Sequence, residues 1–179
     1  MIPDLTHRLA TRSDIPAISR IMERAIAELQ RPFLSAEQIA ASHLSMGLDT
    51  QLIDDGTYFL IEREGTAAGC GGWSRRATLY GGNHATALRD DRLLDPATEA
   101  ARIRAMYTDP DFVRQGIGRV ILELCETAAR QAGFKRLEMM ATRAGEPLYL
   151  ACGYQVIKQV DRMAENGVAV PGAVLGKPL

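Results

Sequence analysis

No surplus of charge marks this chain for a charged partner: 21 basic residues stand against 22 acidic ones, for a formal net charge of −1. That balance excludes the dense basic surface that nucleic acids and anionic membranes recruit, so neither is expected as a partner. Long hydrophobic runs are missing too. None approaches the roughly 20 apolar residues of a membrane-spanning helix, and residues 1–10 hold Asp4, His7 and Arg8 where a secretory signal would be apolar. Cysteine is scarce: Cys70, Cys125 and Cys152 are odd in number, form no Cys-x-x-Cys pair and fall inside predicted elements. This excludes a disulfide framework, gives no metal site, and points to reduced, buried thiols in a cytoplasmic protein. There is no internal repeat, low-complexity tract or linker. At 179 residues the chain is large enough for a core without staples, so residues 1–179 read as one domain.

What is present begins with Asp109-Pro110-Asp111-Phe112-Val113-Arg114-Gln115-Gly116-Ile117-Gly118-Arg119. This stretch joins a predicted strand, Ile103 to Thr108, to a helix whose apolar residues Ile117, Val120, Ile121, Leu124, Cys125, Ala128 and Ala129 share one stripe. Gly133 supplies its stop. The first N–H groups of such a helix lack acceptors and its dipole is positive there, so an anion such as a pyrophosphate fits, with Gly116 and Gly118 letting it reach the backbone. A plain alternative is that the glycines only ease a strained turn. A nucleotide module is disfavoured: the Gly-Lys-Ser/Thr ending of a P-loop is missing, and position 121, where a dinucleotide fingerprint has its third glycine, is Ile121.

A second constellation follows. Leu137 to Thr142 reads as a strand, and Pro147 to Gly153 as a short helix that carries Tyr149. Upstream, a strand near His7 to Ala10 leads into a helix from about Ile15, with Ser13 or Asp14 as cap and Ile18, Met22, Ala25 and Ile26 on its buried face. Ser35 to Gln38 has the form of a capping box opening a helix through about Leu48. Thr57 to Glu62 and Ala67 to Trp73 form a hairpin, and the three glycines of its second strand imply a bulge or a close approach. Ser74 to Thr98 is a long polar connection of the kind that is functional or mobile. Gln155 to Val160 and Ala173 to Lys177 are the last strands.

The order strand, anion loop, long helix, strand, short helix with tyrosine resembles the GCN5-related N-acetyltransferase (GNAT) superfamily. The family's loop pattern lies over Val113 to Gly118, and its tyrosine, three residues, glycine, aromatic pattern lies over Tyr149, Gly153 and Tyr154. Val113 stands where the family has Arg or Gln, with Arg114 and Gln115 next, and Thr142 stands where asparagine is frequent. Motif-level similarity covers about residues 100 to 155.

The resemblance implies an α+β fold: a central mixed, mostly antiparallel sheet flanked by helices, with a splayed parallel strand pair holding the cofactor. It implies an acetyl-coenzyme A-dependent N-acetyltransferase acting on a primary amine, a small molecule or a peptide, by direct attack in a ternary complex. The expected contacts are Met106, Tyr107, Thr108 and Thr142 along the pantetheine arm and Arg114, Gln115, Gly116, Ile117, Gly118 and Arg119 around the pyrophosphate. Tyr149 is the expected general acid. Glu99, Asp109, Glu62 and His84 have the chemistry of a general base, and Glu99, just before the cofactor strand, is the first choice. Phe33, Leu34 and His43 are candidates for the acceptor pocket, and the Ser74 to Thr98 loop is expected near it. A homodimer is compatible with the reading. The alternative is a non-catalytic acyl-coenzyme A sensor, which would have no need of Tyr149.

Overall fold

Apolar residues three and four apart produce the first helix, α1 (Ile15–Glu28), whose buried stripe is Ile18, Ile21, Met22, Ala25 and Ile26. Pro16 sits in its first turn, where its missing N–H costs nothing. The structure is a computed structural model and describes residues 4–179. Ser35 caps α2 (Ala36–Ser42) reciprocally: its hydroxyl accepts from the Gln38 amide at 3.1 Å, and Gln38 Oε1 accepts from the Ser35 amide at 3.0 Å. The helix ends well before Leu48. Ser42 Oγ donates back to the Gln38 carbonyl at 2.9 Å, and the chain soon turns through Gly47 at φ +140°. A further single-turn helix, α3 (Thr50–Asp54), is capped by Asp49 and is too short to leave a period in the sequence.

One seven-stranded sheet organises the rest, in the order β1-β2-β3-β4-β5-β7-β6. Its strands are β1 (Leu5–Leu9), β2 (Tyr58–Arg63), β3 (Thr66–Ser74), β4 (Ala101–Thr108), β5 (Arg136–Thr142), β6 (Gln155–Met163) and β7 (Ala169–Pro178). Every neighbouring pair is antiparallel except β4 and β5. Helix α4 (Ile117–Gln131) makes the crossover between those two, and α5 (Glu146–Ala151) follows β5. The architecture is therefore the expected α+β one, and β6 and β7 run longer than the sequence pattern indicated.

The sheet separates two cores. On one face Ile103, Ile117, Ile121, Leu137, Met139 and Trp73 pack with α4; on the other Tyr58, Leu60, Cys70 and Tyr107 pack with α1 and α3. The glycines of β3 set the first contact. A Cβ on Gly71 would stand 2.8 Å from Ile121 Cγ2 and 2.8 Å from Met106 Cγ, so only glycine admits α4 at this spacing.

A bulge in β4 fixes which side chains face which core. Cys70 pairs with Tyr107 and Gly72 with Arg104, leaving Ala105 and Met106 together opposite Gly71. Ala105 takes φ +50°, and the Tyr58 hydroxyl donates to its carbonyl at 2.7 Å. Alternation thereby shifts by one. Ala101 and Ile103 belong to the α4 core, whereas Tyr107 joins the α1 core. Among the described residues no helix is long and apolar enough to cross a membrane.

Candidate active site

Strands β4 and β5 pair only at Ala101 with Leu137 and Arg102 with Glu138, where Arg102 and Glu138 close an ion pair at 2.9 Å. Beyond that they diverge. A cleft of ≈ 330 Å³ opens between them, lined by Ile103 to Thr108, by Met139, Met140 and Thr142, and by Tyr149 of α5. Because Ile103 and Met139 belong to one core and Tyr107 to the other, the cleft gives onto both faces of the sheet. From Ile103 onward, the β5-facing edge of β4 has no strand to bond.

At one mouth of this cleft the chain turns into α4. Asp109 is buried and fixed: its carboxylate accepts from Arg24 at 2.7 and 2.8 Å and from the Asp111 amide at 2.9 Å. It caps the 3-10 turn Pro110–Phe112. Arg114 then adopts φ +63° and Gly116 φ +82° before the helix begins. For Arg114 that left-handed conformation costs on the order of 1 kcal/mol. The first amide bond of the helix runs from Val120 to the Gly116 carbonyl, at 3.1 Å. Among the described residues, the amides of Gln115 to Arg119 have no acceptor. A left-handed residue followed by helical ones turns such amides toward one point, and with the helix dipole behind them they form an anion seat.

The side chains of this corner divide in their roles. Arg63 donates to Gln115 Oε1, which leaves Gln115 its Nε2 donors and its backbone amide. Arg114 and Arg119 are exposed and make no ion pair among the described residues, leaving both charges free for a phosphate. Gly118 has a packing role beside any contact with a ligand. A Cβ there would collide with Leu148 of α5, so the bare residue lets α5 close on α4.

Tyr149 lies in the cleft wall, its ring against Gly145 and edge-on to Tyr154 with centroids 6.2 Å apart. No group among the described residues bonds its hydroxyl. Burial, reinforced by Cys125 and Cys152, pushes its pKa above the ordinary phenol value. Thr142 lines the cleft too, and its hydroxyl accepts from the Gly145 amide at 3.2 Å.

Glu99 is not brought to this site. It stands before the paired end of β4, accepts from Arg92 at 2.9 and 3.1 Å and from the Asp95 amide at 2.7 Å, and is held at a pKa of about 2 by those bonds. So low a carboxylate is a poor base. Asp109 is committed to Arg24, Glu62 contacts Arg8 at 3.3 Å, and His84 is exposed with Nε2 3.0 Å from the His43 carbonyl oxygen. Among the described residues no Asp, Glu or His lines the cleft.

The α1 side of the cleft differs from the expected pocket. Phe33 is exposed, Leu34 packs with Ala41 and Val170, and His43 lies outside; Leu29, Gln30, Met46 and Gly47 form the wall instead. The long loop does arrive, through Leu79, Tyr80 and Gly81. Arg104 holds it, donating to the Gly81 carbonyl at 2.7 Å and to Asp49 at 2.9 Å, while Arg89 shares Asp49 at 2.9 Å. Burial pulls the Arg104 pKa down and Asp49 opposes that shift. The sequence carried a signal for Arg104, a charge inside an apolar strand, that pattern reading passed over. Arg162, also in the wall, lies beyond the expected end of its strand and gave none.

Comparison with known proteins agrees with this geometry. Residues 22–154 match the family described as the acetyltransferase (GNAT) family. The fold is similar to the GCN5-related N-acetyltransferase of Rhodopseudomonas palustris, at 17% identity over 100% of this chain and 98% of that one, with a TM-score of 0.73. It is similar also to the PaiA N-acetyltransferase of Thermoplasma acidophilum, solved with coenzyme A, at 11% identity over 98% and 99% with a TM-score of 0.64. A third, YncA of Salmonella typhimurium with acetyl-coenzyme A, shares 18% identity over 98% and 94% with a TM-score of 0.63. No curated protein matches the chain in sequence.

Proposed function

The chain belongs to the acetyltransferase (GNAT) family, and from that premise we propose that it moves an acetyl group from acetyl-coenzyme A to a primary amine by direct attack in a ternary complex. One observation carries this most directly: the unpaired edge of β4 and the unbonded phenol of Tyr149 line a single cleft, and from Val113 in its wall the chain runs into the free amides opening α4. The neighbours solved with coenzyme A and acetyl-coenzyme A share the fold that builds this cleft.

The residues present fit such a carrier. A pantetheine arm is a run of amides, so the backbone at Met106, Tyr107 and Thr108 pairs with it as with an added strand, and an N–H there polarises the thioester carbonyl. The amides of Gln115 to Arg119 take the diphosphate, with Arg114 and Arg119 adding charge and Thr142 a polar contact on the β5 side. The acceptor enters from the α1 face, opposite the diphosphate. Its nitrogen lone pair attacks the thioester carbon, the N–C bond forms as the C–S bond breaks, and the nitrogen's proton leaves to water, since among the described residues no acidic or imidazole side chain lines the cleft. Tyr149 gives its proton to the departing sulfur and recovers one from solvent. The unpaired thiols of Cys70, Cys125 and Cys152 support a cytoplasmic setting.

Thermal-shift titration with acetyl-coenzyme A, coenzyme A, ATP and NAD, followed by free-thiol release on an amine panel, tests this. Binding at about 100 times Kd stabilises the fold by about 2.7 kcal/mol. Both coenzyme A forms are expected to do so, ATP and NAD not, with thiol released only when an acceptor amine is present. Equal response to all four ligands, or binding with no thiol release from any amine, would sink the enzyme reading in favour of a sensor or a general phosphate site.

A further inference from the structure

Arg162 reaches the cleft from the outer part of the sheet. It lies on β6 opposite Val170, and its side chain passes Gly172 of the intervening strand, where a Cβ would lie 3.4 Å from Arg162 Nε and 2.8 Å from the Ala141 carbonyl oxygen. The residue is only 6% exposed. Among the described residues it makes no hydrogen bond and no ion pair, and its Nε and Nη2 are buried without an acceptor. Only the Tyr80 ring attends it, 5.8 Å from the guanidinium carbon. Arg104, the other cation in the wall, is answered by Asp49 at 2.9 Å. The cleft therefore holds one guanidinium whose charge nothing balances. Gln30, 3% exposed and in the same wall, has the complementary orphan, a buried Oε1 with no donor. Buried polar groups are normally satisfied, so an unpaired donor set and an unpaired acceptor in one cleft mark a ligand with an anionic end and an N–H end.

Resting on the acetyl-transfer reading above, we propose that the acceptor is a small amine that carries a carboxylate, of the amino-acid type, with the carboxylate on Arg162 and the amine N–H on Gln30 Oε1. A single uncompensated guanidinium matches a monoanion, and its planar fork matches a carboxylate. A phosphate dianion would be left half-neutralised among Leu29, Met46 and Leu79. The volume of ≈ 330 Å³, shared with the end of the carrier, fits an acceptor of amino-acid size.

The test compares the free amino acids with their carboxamides and decarboxylated amines, and with phosphate-bearing amines, on the wild-type enzyme and on Arg162→Met and Arg162→Lys. In wild type, kcat/KM for one or more amino acids should exceed that of the matched carboxamide by on the order of 100-fold, the scale set by leaving a buried charge unpaired. Arg162→Met should abolish that preference and Arg162→Lys keep part of it, with the Kd for coenzyme A unchanged in both. A readout without turnover accompanies these. Removing an unpaired buried charge should raise the Tm of Arg162→Met by about 3 °C, and N-acetylated amino acids should stabilise wild type but not this variant. Preference for the carboxamides, the decarboxylated amines or the phosphate-bearing amines would overturn the proposal while leaving acetyl transfer standing; so would no acetylation of any amino acid by an enzyme that binds coenzyme A. Failure to bind coenzyme A at all would instead remove the acetyl-transfer reading beneath it.

Discussion

A phenol with an ordinary pKa of about 10 already holds its proton at neutral pH. Burial with the neighbouring Cys125 and Cys152 keeps Tyr149 neutral while making it a weaker acid, so the proposed role rests on its position in the cleft. Tyr149→Phe should therefore lower kcat by on the order of 100-fold, the usual range for a positioned proton donor, while the Kd for coenzyme A stays within about twofold. Steady-state kinetics beside calorimetric titration check this; equal kcat in the two enzymes would take Tyr149 out of the mechanism. The short helix that carries Tyr149 was readable because Pro147 and Gly153 mark its start and stop. Glu99 was misjudged for the opposite reason. Nearness in sequence to β4 says nothing of the Arg92 and Asp95 bonds that occupy its carboxylate.

At the scale of elements, the bulge in β4 decides which side chains face the cleft, since it turns Tyr107 to the α1 face. Tyr58 secures it. Tyr58→Phe would leave the Ala105 carbonyl without its 2.7 Å donor, so urea melts should show a loss of about 1–3 kcal/mol together with a fall in turnover. Unchanged stability would mean the bulge is held by the ladder alone. The three glycines of β3 implied a bulge or a close approach, and the structure has a bulge opposite Gly71 and Ile121 packed against it; that the bulged residues would belong to β4 was not legible, because Ala105 carries no mark of its φ of +50°. The turn into α4 was legible for a sturdier reason: Gly116 and Gly118 mark a positive φ and a close approach, which the structure shows as φ +82° at Gly116 and Leu148 packed on Gly118.

Arginine–carboxylate pairs brace the molecule, some between near neighbours, as Arg8 with Asp14 and Arg92 with Glu99, and others between separate segments, as Arg76 with Asp55. Each of these carboxylates has its pKa lowered first by the side-chain bond from its arginine, Glu99 to about 2. Folded values below unfolded ones mean that the unfolded chain binds more protons, so this stability is fully present above the ordinary carboxylate values near 4 and is lost as pH falls through the folded ones. Urea midpoints should hold from pH 7 to about 4.5 and then drop toward pH 2.5, less steeply in 1 M salt, which screens exposed pairs; a midpoint constant to pH 2.5 would contradict this. Pairs between separate segments, such as Arg76 with Asp55, leave no local pattern, and the same holds for Arg162 and α3, which take their meaning from strands and turns far away in sequence. The central claim is that the amides at the start of α4 and the free edge of β4 hold one thioester carrier. A crystal structure with acetyl-coenzyme A tests it most directly: the diphosphate should lie within hydrogen-bond distance of the Gln115 to Arg119 amides, with the arm alongside Met106 to Thr108. A carrier bound elsewhere, with the β4–β5 gap closed, would contradict it.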